Sequence, residues 1–294
     1  MSDFKKFLIT SRYDKPHGIL LLFFPCLWGL SLIKSNITDV IFLGIIFFIG
    51  ACGMRALGCI WNDYNDKNFD IRVKRTKTRL IASNKLKKKQ VLLFSTINAS
   101  IGSVPLFFLP TQSILIALCV LPLIISYPFM KRITWWPQLW LGINFNWGIL
   151  VGSSAIGTEF LSFPIIIFYI GSILFTLGYD TIYGFQDIVD DQRIGIKSTS
   201  IKFKRKPKAF LLLVYFASIT SWALSLHLLE KPILAILLCF SVFILLLYRI
   251  LKCNLNWLTL TNKFNNKYVA KMSYYQILLY LHHICKNYLF QLHR

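Results

Sequence analysis

The stretch VIFLGIIFFIGACGMRALGCIWNDYNDKNFD, residues 40–70, joins a long apolar run to an acidic segment. Its first half is an apolar run of the kind that crosses a bilayer, for which a helix needs about 20 mostly apolar residues. Its second half ends in polar and acidic side chains, among them Asn62, Asp66 and Asp70. Carboxylates close to hydrocarbon are costly and indicate a functional site. The stretch therefore predicts a membrane helix with a site at one end.

Apolar runs of this kind recur along the whole chain. Of its 294 residues, 55% are hydrophobic and 15% are charged, whereas a typical soluble domain is about 25% charged. We predict an all-α, polytopic membrane helix bundle that forms a single domain over residues 1–294. Its eight predicted spans are built on residues 19–33, 40–53, 91–109, 113–125, 139–156, 163–177, 210–228 and 233–247.

A ninth apolar segment, residues 272–292, is interrupted by Gln276, His282, His283 and Lys286. It either spans the membrane as well or lies on its surface.

The net charge of +21 follows a pattern along the chain. Lys and Arg are concentrated in the N-terminal segment and after every even-numbered span, whereas Lys34 and Lys231 are the exceptions in the other short loops. By the positive-inside rule, the N-terminus and the even-numbered loops are cytoplasmic. Because the positive charge follows the membrane topology, we expect no nucleic-acid partner. We also expect no cleavable signal peptide, and we predict that the protein resides in a bacterial inner membrane.

Acidic residues are rare and clustered. Seven of the twelve Asp and Glu lie in NDYNDKNFD, residues 62–70, and in YDTIYGFQDIVDD, residues 179–191. Each stretch precedes a predicted cytoplasmic loop, so both lie on the same face of the membrane. A single such pair would be explained by solvated loop carboxylates that balance nearby Lys and Arg. Two matching sets on one face favour a shared site.

The spacing within each set indicates metal binding. Asn62, Asp66 and Asp70 are four residues apart, as are Asp187 and Asp191, so each set is expected to project from one face of a helix. Oxygen ligands without His or Cys select Mg²⁺ or Mn²⁺, and Mg²⁺ is usually shared between one or two carboxylates and substrate phosphates. We predict Mg²⁺ as cofactor and a diphosphate as ligand.

Basic residues next to both sets are candidates for binding the diphosphate, because Arg and Lys are the usual phosphate partners. They come from three predicted cytoplasmic loops that converge on one mouth, and from the span before the first set. These residues are Arg55, Lys74, Arg75, Arg79, Lys131, Arg132, Arg193 and Lys197.

Four sequence blocks together resemble the UbiA superfamily of membrane prenyltransferases, and most closely its 4-hydroxybenzoate polyprenyltransferases. The resemblance covers residues 8–270, with the blocks in family order. They are RYDKPHG (12–18), RALGCIWNDYNDKNFDIRVKRTKTR (55–79), YPFMKRITWWPQLWLG (127–142) and YDTIYGFQDIVDDQRIGIKST (179–199).

The resemblance implies a nine-helix bundle around a central cavity, with two Mg²⁺ ions held on the diphosphate by the acidic motifs. Asn62, Asp66 and Asp70 match the first motif, and Asp187 and Asp191 match the second. Asp63 and Asp190 are acidic positions of the family whose roles the sequence does not separate.

Arg132 is the family-based candidate for the acceptor carboxylate or the diphosphate, and Asp191 is a candidate base for the proton that leaves the ring. The predicted catalytic residues are thus Asp191 and Arg132. The predicted substrate-binding residues are Arg55, Arg75, Arg79, Lys131, Arg132, Tyr183 and Lys197.

The sequence departs from the family pattern beside the motifs. Leu80, Asn84 and Lys67 stand where Pro, Gly and Arg are usual, and none is a predicted ligand. After Val269 the family has an apolar final helix, whereas residues 272–294 of this chain read MSYYQILLYLHHICKNYLFQLHR.

The predicted reaction is transfer of a polyprenyl group from polyprenyl diphosphate to the ring of 4-hydroxybenzoate in ubiquinone biosynthesis, with membrane lipid as the surroundings of the prenyl tail. Three alternatives stay open. One is a UbiA-type enzyme with another acceptor. A second is a Mg²⁺-dependent membrane phosphotransferase, whose usual Asp/Gly/Ala-Arg signature is missing here. The third, a cation or metabolite carrier, would not explain the basic residues beside the acids.

Overall fold

The computed structural model describes residues 1–157 and 160–252, and in this part of the chain every regular element is a helix. A 3-10 turn at Val104–Phe107 follows the fifth helix. The fourteen α-helices are α1 (Asp3–Thr10), α2 (His17–Leu32), α3 (Ile37–Asn65), α4 (Lys67–Asp70), α5 (Lys88–Ser103), α6 (Thr111–Cys119), α7 (Leu121–Ile133), α8 (Pro137–Asn146), α9 (Gly148–Ile156), α10 (Phe163–Gly184), α11 (Ile188–Arg193), α12 (Thr199–Lys202), α13 (Pro207–Leu228) and α14 (Ile233–Lys252).

Seven of the eight predicted spans coincide with helical segments that are long and apolar enough to cross a membrane. The helix at the first predicted span, α2, is shorter, with 16 residues. The predicted ninth segment lies outside the described residues. The prediction of an all-α, polytopic membrane helix bundle is confirmed. The seven segments are Ile37–Asn65, Lys88–Phe107, Thr111–Ile133, Pro137–Ile156, Phe163–Gly184, Pro207–Leu228 and Ile233–Lys252.

Three of these segments consist of two helical pieces each. Pro105 lies in the 3-10 turn that continues α5, and Pro122 lies in the first turn of α7, directly after α6. Proline has no N–H for the helical ladder and is tolerated in a first turn. The break between α8 and α9 falls at Trp147, whose indole N–H donates to the carbonyl of Ile116 at 2.9 Å.

Close backbone contact between helices depends on small residues. A Cβ added at Gly29 of α2 would lie 2.2 Å from the carbonyl oxygen of Ile149 in α9, and one at Gly152 of α9 would lie 2.2 Å from that of Cys26. Membrane helices associate through such packing, because lipid tails remove the hydrophobic drive between them. Glycine at these two positions therefore lets α2 and α9 touch.

Aromatic side chains fill the core between α10 and α13. Trp222 stacks on Phe168 and Phe175 with ring centroids 5.7 and 5.1 Å apart, and all three side chains are buried. Stacked rings contribute beyond their buried area. This packing holds α10, and with it the second acidic stretch, in a defined position.

Candidate functional site

A cavity of about 1470 Å³ lies between the helices. The acidic stretches and the loops after them line one end, whereas apolar side chains such as Phe47, Leu109 and Val151 line the other. Along α3 the cavity extends from Phe47 to Asp66, about 28 Å at 1.5 Å per residue. The lining includes six acids and eight cations: Asp63, Asp66, Asp70, Asp180, Asp187, Asp191, Arg12, Lys15, Arg55, Arg75, Arg79, Lys85, Lys131 and Lys197.

The first acidic set lies where α3 ends and α4 begins. Asn62 belongs to α3, Asp70 belongs to α4, and Asp66 is the residue between the two helices. Two backbone hydrogen bonds keep the four-residue spacing across the break, from the Asp66 N–H to Asn62 and from the Asp70 N–H to Asp66, at 2.9 and 2.8 Å. The set is thus divided between two helices, and all three side chains still line the cavity.

The second acidic set follows α10. Asp187 is the N-cap of α11, and the Asp191 N–H bonds the Asp187 carbonyl at 2.8 Å. Both side chains line the cavity together with the first set. Two stretches more than a hundred residues apart therefore meet at one end of the cavity, at the helix ends that the charge pattern places on one face.

Basic residues pair with three of the predicted ligands. Arg75 forms a bidentate pair with Asp187, with Nε 3.0 Å from both carboxylate oxygens and Nη2 2.5 Å from Oδ2. Asp70 accepts a hydrogen bond from Arg79 at 2.8 Å. These pairs compensate the desolvation of the buried carboxylates.

The third of these pairs, Lys131 with Asp66, is the most buried. Asp66 is 2% exposed and forms an ion pair with the Lys131 ammonium through Oδ2. Its Oδ1 is buried and accepts no hydrogen bond, and Nη2 of Arg132 lies 3.7 Å from it. A buried carboxylate oxygen without a donor is costly and has capacity for a cation.

The donor set fits Mg²⁺ that is shared with a diphosphate. Within residues 1–157 and 160–252, no three His, Cys, Asp or Glu side chains converge to hold a metal by themselves. Mg²⁺ does not require such a cage, because substrate phosphates and water supply most of its ligands. Asp66 Oδ1, which accepts no hydrogen bond, could bind such a cation. Asp187 and Asp191 line the same end of the cavity.

The electrostatics of the polar end also favour a bound cation. Burial, reinforced by the neighbouring Asp187 and opposed by Lys131, raises the pKa of the Asp191 carboxyl to about 7. Burial likewise raises the pKa of the Asp66 carboxyl, and Lys131 opposes that shift. Carboxylates whose charged form is disfavoured in this way gain most from a cation that neutralises them.

Asp63 and Asp190, which the sequence left unassigned, hold loops in place. Asp63 accepts hydrogen bonds from Arg12 at 2.6 Å and from Arg79 at 2.8 Å. Asp190 accepts one from the backbone N–H of Lys74 at 2.9 Å. Asp63 thereby fastens the N-terminal segment to α3, and Asp190 fastens the loop after the first set to the second set.

Deeper in the cavity lies a second polar group that the sequence reasoning did not assemble, which we call the inner polar group: Arg55, Tyr127, Tyr179 and Asp180. All four line the cavity, and Asp180 interacts electrostatically with the other three. Buried Arg55 Nε has no hydrogen-bond partner. The sequence analysis assigned no role to Asp180, which belongs to the second acidic stretch. Its position inside a membrane span was the signal that could have identified it as functional.

The remaining predicted residues divide between cavity and rim. Tyr183 lines the cavity, and its hydroxyl accepts a hydrogen bond from Arg75 at 3.1 Å. Lys197 also lines it and donates to the Ile133 carbonyl at 3.1 Å. Arg132 is exposed and not among the lining residues. Its guanidinium donates to the Asn65 carbonyl at 2.9 Å and lies over the Phe69 ring, 4.9 Å from its centroid.

Comparison with known proteins identifies relatives that match most of this chain. The pattern of the UbiA prenyltransferase family matches residues 22–265. A mitochondrial 4-hydroxybenzoate polyprenyltransferase from Dictyostelium discoideum is 44% identical over 211 residues, which are 70% of this chain and 45% of that protein. A 4-hydroxybenzoate octaprenyltransferase from Pseudomonas fluorescens (strain SBW25) is 38% identical over 206 residues, 70% of this chain and 69% of that protein.

Solved structures share the fold. A UbiA homolog from Aeropyrum pernix K1 superposes with a TM-score of 0.64 at 22% identity, over 83% of this chain and 94% of that one. A UbiA homolog from Archaeoglobus fulgidus, bound to GPP and Mg²⁺, gives a TM-score of 0.61 at 12% identity, over 93% and 96% of the two chains.

The chain spans about half the length of the mitochondrial relatives, 45% to 54% of the proteins from Dictyostelium and two Drosophila species. The family pattern covers most of the chain, and the bacterial relative is matched over more than two thirds of its own length. On this evidence, the chain belongs to the UbiA prenyltransferase family.

Proposed function

We propose that this protein transfers a polyprenyl group from polyprenyl diphosphate to the ring of 4-hydroxybenzoate, as a step of ubiquinone biosynthesis. The names of relatives at 44% and 38% identity support the reaction. The observation that carries the proposal is a cavity with the acids of α3, α4 and α11 at one end and an apolar lining at the other. A molecule with a diphosphate head and a hydrocarbon tail matches both ends.

The diphosphate would bind at the acidic end. Asn62, Asp66, Asp70, Asp187 and Asp191 would hold Mg²⁺ there. When bound, Mg²⁺ neutralises the charge that develops on the leaving diphosphate.

Cationic side chains around these acids would bind the phosphate oxygens directly. Arg75 and Lys131, now paired with Asp187 and Asp66, are placed to exchange a carboxylate for a phosphate once metal occupies the acids. Arg79 and Lys197 line the same end. Arg75 is suited to this exchange because its fork of donors matches phosphate as well as carboxylate.

Bond breaking and bond making take place where the cavity turns apolar. The bond between the first prenyl carbon and the diphosphate oxygen breaks, and its electron pair leaves with the diphosphate. A ring carbon of the acceptor then gives an electron pair to the allylic carbon and loses its proton. An apolar lining excludes water, which would otherwise capture the cation. The Tyr183 ring, which now contacts the Arg75 guanidinium, would be the candidate for contact with the prenyl cation.

The inner polar group would bind the acceptor. Arg55 lies inside the cavity with an unpaired Nε, so we assign the benzoate carboxylate to Arg55. Asp180 interacts electrostatically with Arg55, and we assign it the role of accepting the ring proton. The sequence-based candidates, Arg132 for the carboxylate and Asp191 for the proton, lie at the rim and in the second acidic set.

The protein is a multi-pass membrane protein, and we propose that the acidic end of the cavity faces the cytoplasm. The Lys- and Arg-rich segments before α2, α5 and α13 and at the end of α7 lie at that end. A bacterial inner membrane stays a prediction, since the relatives include mitochondrial proteins and a bacterial one.

Membranes that contain the full chain test the proposal when they are incubated with 4-hydroxybenzoate, a polyprenyl diphosphate and Mg²⁺. The expected product is prenylated 4-hydroxybenzoate, identified by its mass, together with released diphosphate. Prenylation of a different aromatic acceptor would keep the UbiA chemistry and change the acceptor. A phosphorylated lipid alcohol, or uptake of substrate into vesicles without conversion, would overturn the proposal in favour of a phosphotransferase or a carrier.

A further inference from the structure

Gly58 lies on the cavity face of α3, in a row of residues spaced by four. Met54, Gly58, Asn62 and Asp66 all line the cavity, as expected for positions that share one face of a helix. The row changes from apolar to acidic as it approaches the polar end. Gly58 occupies the point of change, about 6 Å from Asn62 along the helix axis.

Packing does not account for a glycine at this position. A Cβ added to Gly58 would meet no heavy atom within 4 Å. On the same helix, a Cβ at Gly53 would lie 2.2 Å from the Gly102 nitrogen, and one at Gly50 would lie 2.4 Å from Pro105 Cγ. Gly50 and Gly53 therefore permit close packing, whereas the space beside Gly58 is open and belongs to the cavity.

Glycine is also the poorer residue for the helix itself. In a helix interior, glycine is less favourable than alanine, because it loses more backbone freedom on folding. Gly58 thus gives up stability in α3 and leaves space that no other side chain fills.

The position of this space relates it to both substrates. On one side are Asn62 and Asp66, which would hold the diphosphate. Arg55, three residues earlier on α3, belongs to the inner polar group that would hold the acceptor. The space beside Gly58 therefore lies between the two binding regions, where the reacting carbons have to meet.

We propose that Gly58, by having no side chain, leaves room for the allylic end of the prenyl donor, so that its first carbon reaches the acceptor ring. The inference rests on the proposed function and deepens it. Because every prenyl diphosphate has the same allylic end, a side chain at Gly58 obstructs short and long donors equally. It does not obstruct the diphosphate, which is bound one helical turn away.

A graded series, Gly58→Ala, Gly58→Val and Gly58→Phe, tests this in the full chain in lipid nanodiscs. The Tm of Gly58→Ala should equal or exceed that of the wild type, because alanine is the better helix former and meets no atom. The kcat/KM for the prenyl donor should fall with side-chain volume, by about tenfold or more at Val. The fall should be the same for geranyl diphosphate and for a long-chain donor.

Two measurements separate this role from a structural one. Mg²⁺-dependent binding of inorganic pyrophosphate should match that of the wild type in all three variants. As a packing control, Gly53→Ala should lower the Tm, because its Cβ collides with Gly102.

Three results would overturn the proposal for Gly58: unchanged kcat/KM in Gly58→Phe, a loss confined to long donors, or a raised KM for 4-hydroxybenzoate with normal use of the donor. Each of these results presupposes that the wild-type protein makes the prenylated product, so none of them would contradict the proposed function. A wild type that makes no prenylated product with any aromatic acceptor would overturn both.

Discussion

Arg75 and Asp187 form a bidentate ion pair across the mouth of the cavity, with Arg75 Nε 3.0 Å from both carboxylate oxygens. The same guanidinium donates to the Tyr183 hydroxyl at 3.1 Å. Arg75 belongs to the loop after the first acidic set, and Asp187 begins the second. The pair therefore joins the two sets and neutralises Asp187 when no diphosphate is bound.

Replacing Arg75 should weaken donor binding. We expect Arg75→Ala to raise the KM for the prenyl diphosphate by about tenfold or more, since tenfold corresponds to roughly 1.4 kcal/mol of lost binding. Arg75→Lys should be nearly as damaging, because lysine lacks the planar fork. Arg72, exposed and outside the cavity lining, provides the matched control. If Arg72→Ala raises the KM by the same factor, the effect of Arg75→Ala reflects the loss of a positive charge in general and not a specific contact with the diphosphate.

Removing a metal-binding carboxylate should abolish turnover without unfolding the protein. Asp66→Asn and Asp187→Asn should each lower kcat/KM by about a hundredfold or more, because the leaving diphosphate loses its neutralising ion. Chelation of Mg²⁺ should do the same to the wild type. Asp39→Asn, on an exposed residue in the first turn of α3, is the control. Near-normal turnover of either variant at limiting Mg²⁺ would remove that residue from the ligand set.

Asp63 should behave differently from Asp66, although both are buried acids of the first stretch. Its two arginine partners make it a fastening point for the N-terminal segment and for Arg79. Breaking such a buried pair typically costs about 3–5 kcal/mol. We expect Asp63→Ala to lower the Tm in detergent clearly while Mg²⁺-dependent pyrophosphate binding persists in the folded protein, whereas Asp66→Asn lowers that binding itself. Reversal of this pattern would exchange the two roles.

The acceptor carboxylate distinguishes Arg55 from Arg132. We expect Arg55→Lys to raise the KM for 4-hydroxybenzoate by about tenfold, because the bidentate pair with the carboxylate is lost. Its effect on the KM for the donor should be small. Arg132→Lys should leave the acceptor KM near the wild-type value, since Arg132 is at the rim. If Arg132→Lys alone raises it, the sequence-based assignment of Arg132 is correct.

Membrane orientation can be measured by cysteine labelling in intact cells. In a variant without native cysteines, Cys introduced at Lys85 should be protected from an impermeant reagent added outside, and Cys at Thr111 should react. The expectation follows from the concentration of Lys and Arg at the cavity mouth. Labelling at position 85 with protection at position 111 would invert the topology.

Much of the site was predictable from the sequence because the relevant signals are local. Hydropathy places the spans, and the Lys and Arg pattern places the two acidic stretches on one face. The four-residue spacing of Asn62 and Asp66 survives the break between α3 and α4, because a backbone hydrogen bond of 2.9 Å links them. Membership of the UbiA family also follows from contiguous motifs.

The division of labour among the charged residues was not predictable in this way. In the sequence, Arg55 and Arg132 are both basic residues close to an acidic stretch. In the structure, Arg55 lines the cavity and Arg132 is exposed. Asp63 and Asp66 are three residues apart, and only Asp66 has a buried oxygen without a donor. Such differences depend on which partners from distant segments reach each side chain.

Residue types and their spacing were sufficient to predict the membrane class, the acidic motifs and the common face on which the motifs lie. The shared cavity of Arg55 and Asp180 and the open space beside Gly58 could be seen only in the folded chain. The packing of α3 and α10 against their neighbours selects which face of each helix lines the cavity.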